Sequence, residues 1–202
     1  MSRIDSRAYR ISVVSLMIAL VAIFELVNRS LPMRAPWGMS IDFVALPVML
    51  TFFILGTRYA FAVSIGMYFI LMLFGFAGFV GATMKFFATI PMVIGLGLFG
   101  RRWAKRGSVL SSPLPVLVGA SVFALLLRTG VALVLNYYWA VPLFLSMPIE
   151  EAISSHPMFG YSIWGFVWFV SSMNLVQGTI DIGLSWFIVR SRHMQFRLKR
   201  TT

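Results

Sequence analysis

Apolar residues fall into six stretches along the chain, at about 11–30, 43–56, 59–77, 84–100, 114–136 and 162–189. Short runs of Gly, Pro and charge separate them. A helical membrane crossing needs ~20 mostly apolar residues, so six crossings with short loops use the whole chain. The second stretch is short and carries Pro47. The breaks fall where turn chemistry places them: Pro32 and Pro36, Gly75 and Gly78, Pro113 and Pro115, then Pro142, Pro148 and Pro157. The pattern predicts an all-α integral membrane protein of six transmembrane helices, forming a single domain over residues 1–202.

Composition agrees. Hydrophobic residues make up 59% of the 202 positions and charged ones 11%, with a mean hydropathy of +0.89. A soluble domain of this length needs a more polar surface. The absence of cysteine excludes a disulfide framework and any Cys-based metal site. The net charge of +11 would suit nucleic acid, but the cations sit in clusters flanking apolar stretches and not on one polar face. Arg3, Arg7 and Arg10 ahead of the first apolar run imitate a signal peptide. No small-x-small cleavage site follows and further spans do, so an uncleaved first helix is expected.

The basic residues also predict orientation. The N-terminus, Arg58, the 101–106 loop and the tail from Arg190 share one side of a six-helix layout, and hold thirteen of the 17 Lys and Arg residues. Basic loops stay cytoplasmic, so both termini are expected inside. Asp42, Glu150, Glu151 and His156 then fall in outer loops, and the chain is a multi-pass protein of the cell membrane.

Ionisable groups inside spans are costly, ~2.5–3.5 kcal/mol each on insertion scales, and require a partner or a role. Glu25, Lys85, Arg128 and Asp181 are the candidates. Glu25 and Lys85 lie toward the outer side, where a solute enters, or snorkel to the interface. Arg128 and Asp181 lie deeper and are expected to form a structural ion pair, with a ligand role as the alternative. Among uncharged groups, Asn136 ends the fifth span, and Asn174 and Gln177 share a face of the sixth at i and i+3. Amides donate and accept, which suits the imide and carbonyl edges of a heterocyclic solute, or else they join helices. In the first span, Ala8, Ser12, Ser15, Ala19 and Ala22 form a continuous stripe of small residues, which lets another helix approach closely. That partner is a helix of this chain or another protein.

Catalytic signatures are missing: no Gly-x-x-x-x-Gly-Lys-Ser/Thr phosphate loop, no His-Glu-x-x-His and no Gly-x-Ser-x-Gly. The chain is expected to be no enzyme, with no catalytic residues, no metal and no cofactor.

The layout, the stripe on the first helix and the segment Ile41-Asp42-Phe43-Val44-Ala45-Leu46-Pro47 together resemble the substrate-binding S component of energy-coupling factor (ECF) vitamin transporters. Leu135-Asn136-Tyr137-Tyr138-Trp139-Ala140-Val141-Pro142 and Met173-Asn174-Leu175-Val176-Gln177-Gly178 are similar to segments of its riboflavin branch. Gln177 stands where that branch usually has Lys, and Val44-Ala45 where it often has Ser-Asp. The resemblance implies a vitamin pocket roofed by the loop after the first helix and lined by the last three helices. It also implies partnership with a transmembrane coupling protein and ATPase subunits. On matching positions Asn136, Asn174 and Gln177 would contact ligand, with Lys85 and Asp42 beside them, and Ser15 and Ala19 would contact the coupling protein. Two other readings stay open: a six-helix scaffold resembling rod-shape membrane proteins, which needs no solute pocket, and a stand-alone secondary transporter, for which no internal repeat is seen.

Overall fold

The computed structural model describes residues 6–30, 33–34, 40–75, 78–103 and 112–198. Their architecture is a bundle of helices. Helix α1, Arg7–Ser30, leads to a two-residue antiparallel ladder that pairs Met33 with Ile41 and Arg34 with Ser40. Helix α2, Leu46–Leu55, has Pro47 in its first turn, where the missing N–H costs nothing. Gly56, at φ 91°, turns the backbone directly into α3, Thr57–Phe74. Helix α4 spans Gly78–Trp103.

Helix α5, Leu114–Leu135, does not stop at Asn136. It passes through a π-helical turn, Asn136–Ala140, into α6, Val141–Leu145. The expected break at Pro142 is therefore absent, for a local reason. Proline lacks an N–H and crowds the carbonyl four residues back. Here the Val141 N–H reaches the carbonyl of Asn136, five residues back, and the widened turn accommodates the ring without ending the helix. After α6 come α7, Ile149–Ser155, a 3₁₀ turn at Pro157–Phe159 and α8, Ile163–Leu198. The short α7 had no counterpart in the apolar pattern. The α4 helix starts six residues earlier than expected, and α8 continues nine residues beyond its apolar part into the basic tail.

Four helical stretches among the described residues are long and apolar enough to cross a membrane: Arg7–Asn28, Thr57–Phe74, Gly78–Arg102 and Leu114–Leu145. The exterior suits lipid. Leu16, Leu73, Leu126 and Phe187 point outward, and Tyr138, Tyr161, Trp164 and Trp168 gather as exposed rings around the ends of α6 and α8. Amphipathic rings of that kind settle at a membrane–water boundary.

The interior is organised around α2. It packs against α1, α3 and α8, and eight of its ten residues, Leu46 through Phe53, are buried. Ten residues rise about 15 Å, half the thickness of a bilayer core. The preceding segment, residues 42–45, consequently runs non-helically inside the bundle, where backbone of that kind survives only if enclosed by protein or lining a cavity. A second apolar cluster, with Ile149, Ile153, Phe159 and Phe166, seats α7 on the start of α8.

The most extensive helix pair is α4 with α5. A Cβ added at Gly95 would lie 2.8 Å from the Ala124 Cα, so the two backbones touch through small residues. Gly95→Leu is expected to separate them and cost about 1–3 kcal/mol or more. A lowered melting temperature in detergent checks this, and unchanged stability would contradict the close approach.

Candidate ligand-binding site

Space is left between α1, α4, α5 and α8 beside the 42–44 segment. A cavity of about 380 Å³ opens there, within the range of small-molecule sites. Its wall draws on α1 (Glu25, Asn28), the 42–44 segment, the end of α3, the first turns of α4, the stretch from Arg128 to Phe144, and α8. Small residues, Gly75, Gly78, Gly81, Ala82, Ala88 and Ala140, keep it open, and Val44, Leu71, Met84, Phe144 and Met173 supply apolar surface.

All five residues expected to line a ligand pocket converge on this cavity: Asp42, Lys85, Asn136, Asn174 and Gln177. Their chemistry differs from the simple expectation. Asp42 and Lys85, 43 positions apart, form an ion pair at 2.6 Å. The same Asp42 oxygen, Oδ1, accepts from the Val44 N–H at 3.0 Å, a local turn that starts the approach to α2. Gln177 spends its amide on the backbone. Its Nε2 donates to the Asp42 carbonyl at 2.6 Å and its Oε1 accepts from the Asp42 N–H at 3.2 Å. Gln177 Nε2 also donates to Asp181 Oδ1 at 3.0 Å. Gln177 thus fastens the non-helical segment to α8, satisfying two backbone groups that would otherwise be orphaned within the bundle.

Arg128 and Asp181 meet as expected. The guanidinium Nη1 lies 3.6 Å from Asp181 Oδ2, with the two residues 3% and 0% exposed. This is an ion pair longer than a hydrogen bond, and Oδ2 has no hydrogen-bond partner among the described residues. Arg128 Nε donates to Asn174 Oδ1 at 3.1 Å, while Asn174 Nδ2 returns to the Val170 carbonyl at 2.9 Å. Gly178 makes room for this arrangement, since a Cβ there would meet Arg128 Cδ at 3.1 Å and Met92 Sδ at 3.2 Å. One connected polar network, Lys85–Asp42–Gln177–Asp181–Arg128–Asn174, therefore floors the cavity and joins α4, α5 and α8.

Asn136 donates through Nδ2 to the Ala132 carbonyl at 2.7 Å, which leaves its oxygen for the cavity. Glu25 and Asn28 had a signal that was only half used. Glu25 stood out as an intramembrane charge, but its i+3 neighbour Asn28 shares its face, and both reach the wall from α1. The expected roof falls largely on residues 31–32 and 35–39, outside the described residues, as do Arg3, Lys105, Arg106, Lys199 and Arg200 of the basic clusters.

Ser15 and Ala19 lie away from the cavity. With Ala8 and Ser12 they are exposed, because α1 turns Val14, Met17, Ile18 and Val21 toward the core instead. Over those four positions the stripe is turned outward. No group of three metal-ligating side chains occurs among the described residues.

Neither a protein-family model nor a curated protein matches the sequence. Its fold does have a solved counterpart: a structure described as the S component of a bacterial ECF transporter superposes with a TM-score of 0.67. The match covers 95% of this chain and 98% of that one at 18% identity, a likeness of fold.

Proposed function

We propose that the protein is the substrate-binding membrane subunit of an ECF-type importer, crossing the membrane six times with both termini in the cytoplasm. Its cavity takes a vitamin from outside, with riboflavin as the first candidate. The observation that carries this reading is the cavity of about 380 Å³ at which Asn136, Asn174, Lys85 and Arg128 converge inside a bundle of S-component fold. A six-helix scaffold has no use for such a space. The Asn136 oxygen and the second N–H of the Asn174 amide offer an acceptor and a donor to a flavin imide edge, and the apolar wall matches its ring faces. The reading also accommodates the absent phosphate loop, because ATP hydrolysis then belongs to partner subunits, and a coupling protein fits the outward small stripe through Ser15 and Ala19.

Titration of purified protein with riboflavin, followed by quenching of flavin fluorescence, tests the proposal. Saturable binding is expected, weakened about 10- to 100-fold in Asn174→Ala, the loss of one or two buried polar contacts. Folded protein that binds neither riboflavin nor any other vitamin of a panel would return it to the scaffold reading.

A further inference from the structure

The cavity wall carries two cations, Lys85 and Arg128, and their surroundings separate them. Lys85 is committed: its ammonium sits 2.6 Å from Asp42 Oδ1, and the same Asp42 is clipped through its backbone by Gln177. Moving Lys85 to a ligand would strip the charge partner from a half-buried carboxylate. Arg128 is held differently. Its Nε is anchored on Asn174 Oδ1 at 3.1 Å and its Nη1 rests against Met92 Sδ at 3.5 Å. Its counter-charge, Asp181, stays at 3.6 Å. No partner among the described residues takes Nη2. The guanidinium is therefore oriented by its inner donor and charge-balanced from behind, with a donor left over where it lines the cavity.

We propose that Arg128 is the cation that recognises the ligand in this cavity, donating through its terminal nitrogens to an oxygen-acceptor edge, while Lys85 is a structural clasp on the Asp42 segment. This deepens the transporter reading and rests on it. An arginine fork suits a planar edge with two acceptors better than an ammonium does. On α8, Gln177 carries no charge and is engaged with backbone, so the donor charge reaches the ligand from α5. The favoured ligand class has adjacent oxygen acceptors, as the carbonyls of a heterocyclic imide or as a carboxylate.

The test compares wild type with the charge-neutral pair variant R128M/D181N, using riboflavin, biotin and thiamine as probes. Riboflavin offers uncharged carbonyls, biotin a carboxylate, and thiamine a cation. Wild type is expected to bind riboflavin or biotin, whichever acceptor source the cavity takes, and to reject thiamine. If Arg128 served only to balance Asp181, the neutral pair would bind as tightly as wild type, and that result overturns the proposal. A loss of about 10- to 100-fold in R128M/D181N supports it. Infrared spectra give a readout that a structural role would not move: a ligand carbonyl or carboxylate stretch shifted in the wild-type complex and back at its solution position in the variant at saturation. An unshifted stretch in wild type counts against Arg128 as donor even if affinity falls. Should wild type bind none of the probes, the transporter reading fails first and the proposal with it; should it bind thiamine alone, the proposal fails while the transporter reading stands.

Discussion

Asp181→Ala is expected to destabilise the detergent-solubilised protein by about 3–5 kcal/mol, the largest single-residue effect in the bundle. The carboxylate is fully buried, lies 3.6 Å from Arg128 and accepts from Gln177 Nε2. Removing it leaves a guanidinium enclosed among α4, α5 and α8 without its nearest counter-charge, and breaking a buried pair from one side costs more than the pair itself contributes. Gln177 keeps its two bonds to Asp42, so the loss is expected to come chiefly from Arg128. For a protein of this size a melting temperature lower by roughly 10 °C corresponds to that energy. Asp181→Asn should fall between, since an amide oxygen still accepts from Gln177 and still faces Arg128 with partial negative charge. A variant Asp181→Ala as stable as wild type would show that Arg128 is neutralised by something other than this carboxylate.

On the transporter function proposed above, Ala19→Leu is expected to abolish association with the coupling module while leaving ligand affinity within about twofold of wild type. The helix α1 presents opposite faces to two different surroundings. Val14, Met17, Ile18 and Val21 pack inward, and a Cβ at Gly66 would lie 2.7 Å from Ile18, so that face is fixed against α3. Ser15 and Ala19, one turn apart, face outward between Ile11 and Leu16. A groove of small residues flanked by larger ones admits a second helix at short distance, and a leucine in its floor forces the helices apart. Co-expression with a coupling protein and its ATPases, then affinity purification and a vesicle uptake assay, measures the effect. Retained assembly in Ala19→Leu, or equal loss of binding and assembly, would count against the face as a docking site.

Much of the candidate site was legible because intramembrane polar groups have few places to go. Asp42, Lys85, Asn136, Asn174 and Gln177 each stood out as polar in an apolar context, and the bundle collects all five on one cavity. Arg128 and Asp181 were paired for the same reason, and they meet. What each polar atom bonds to was not legible. Gln177 and Asn174 share a helix face, which suggested equal roles, yet one amide grips backbone and the other orients a guanidinium. Those partners come from segments 135 and 46 residues away in sequence, and no local rule connects them. The continuation of α5 through Pro142 was hidden too, because proline reads as a stop unless the turn before it widens. The segment Ile163–Leu198 shows the opposite case: Asn174, Gln177 and Asp181 dilute its hydropathy, yet they belong to the network at the cavity floor.

The fastening of Asp42 by Gln177 has a consequence for how such a protein can change. The contact takes a backbone N–H and a backbone carbonyl, so it is blind to the identity of the residue it holds. Only a primary amide of that length supplies both halves: Asn is too short, Glu cannot donate when ionised, and Lys cannot accept. Position 177 is therefore locked by this contact, whereas the side group at 44 takes no part in it. Substitutions at 44 can reshape the wall of the cavity without letting the segment go.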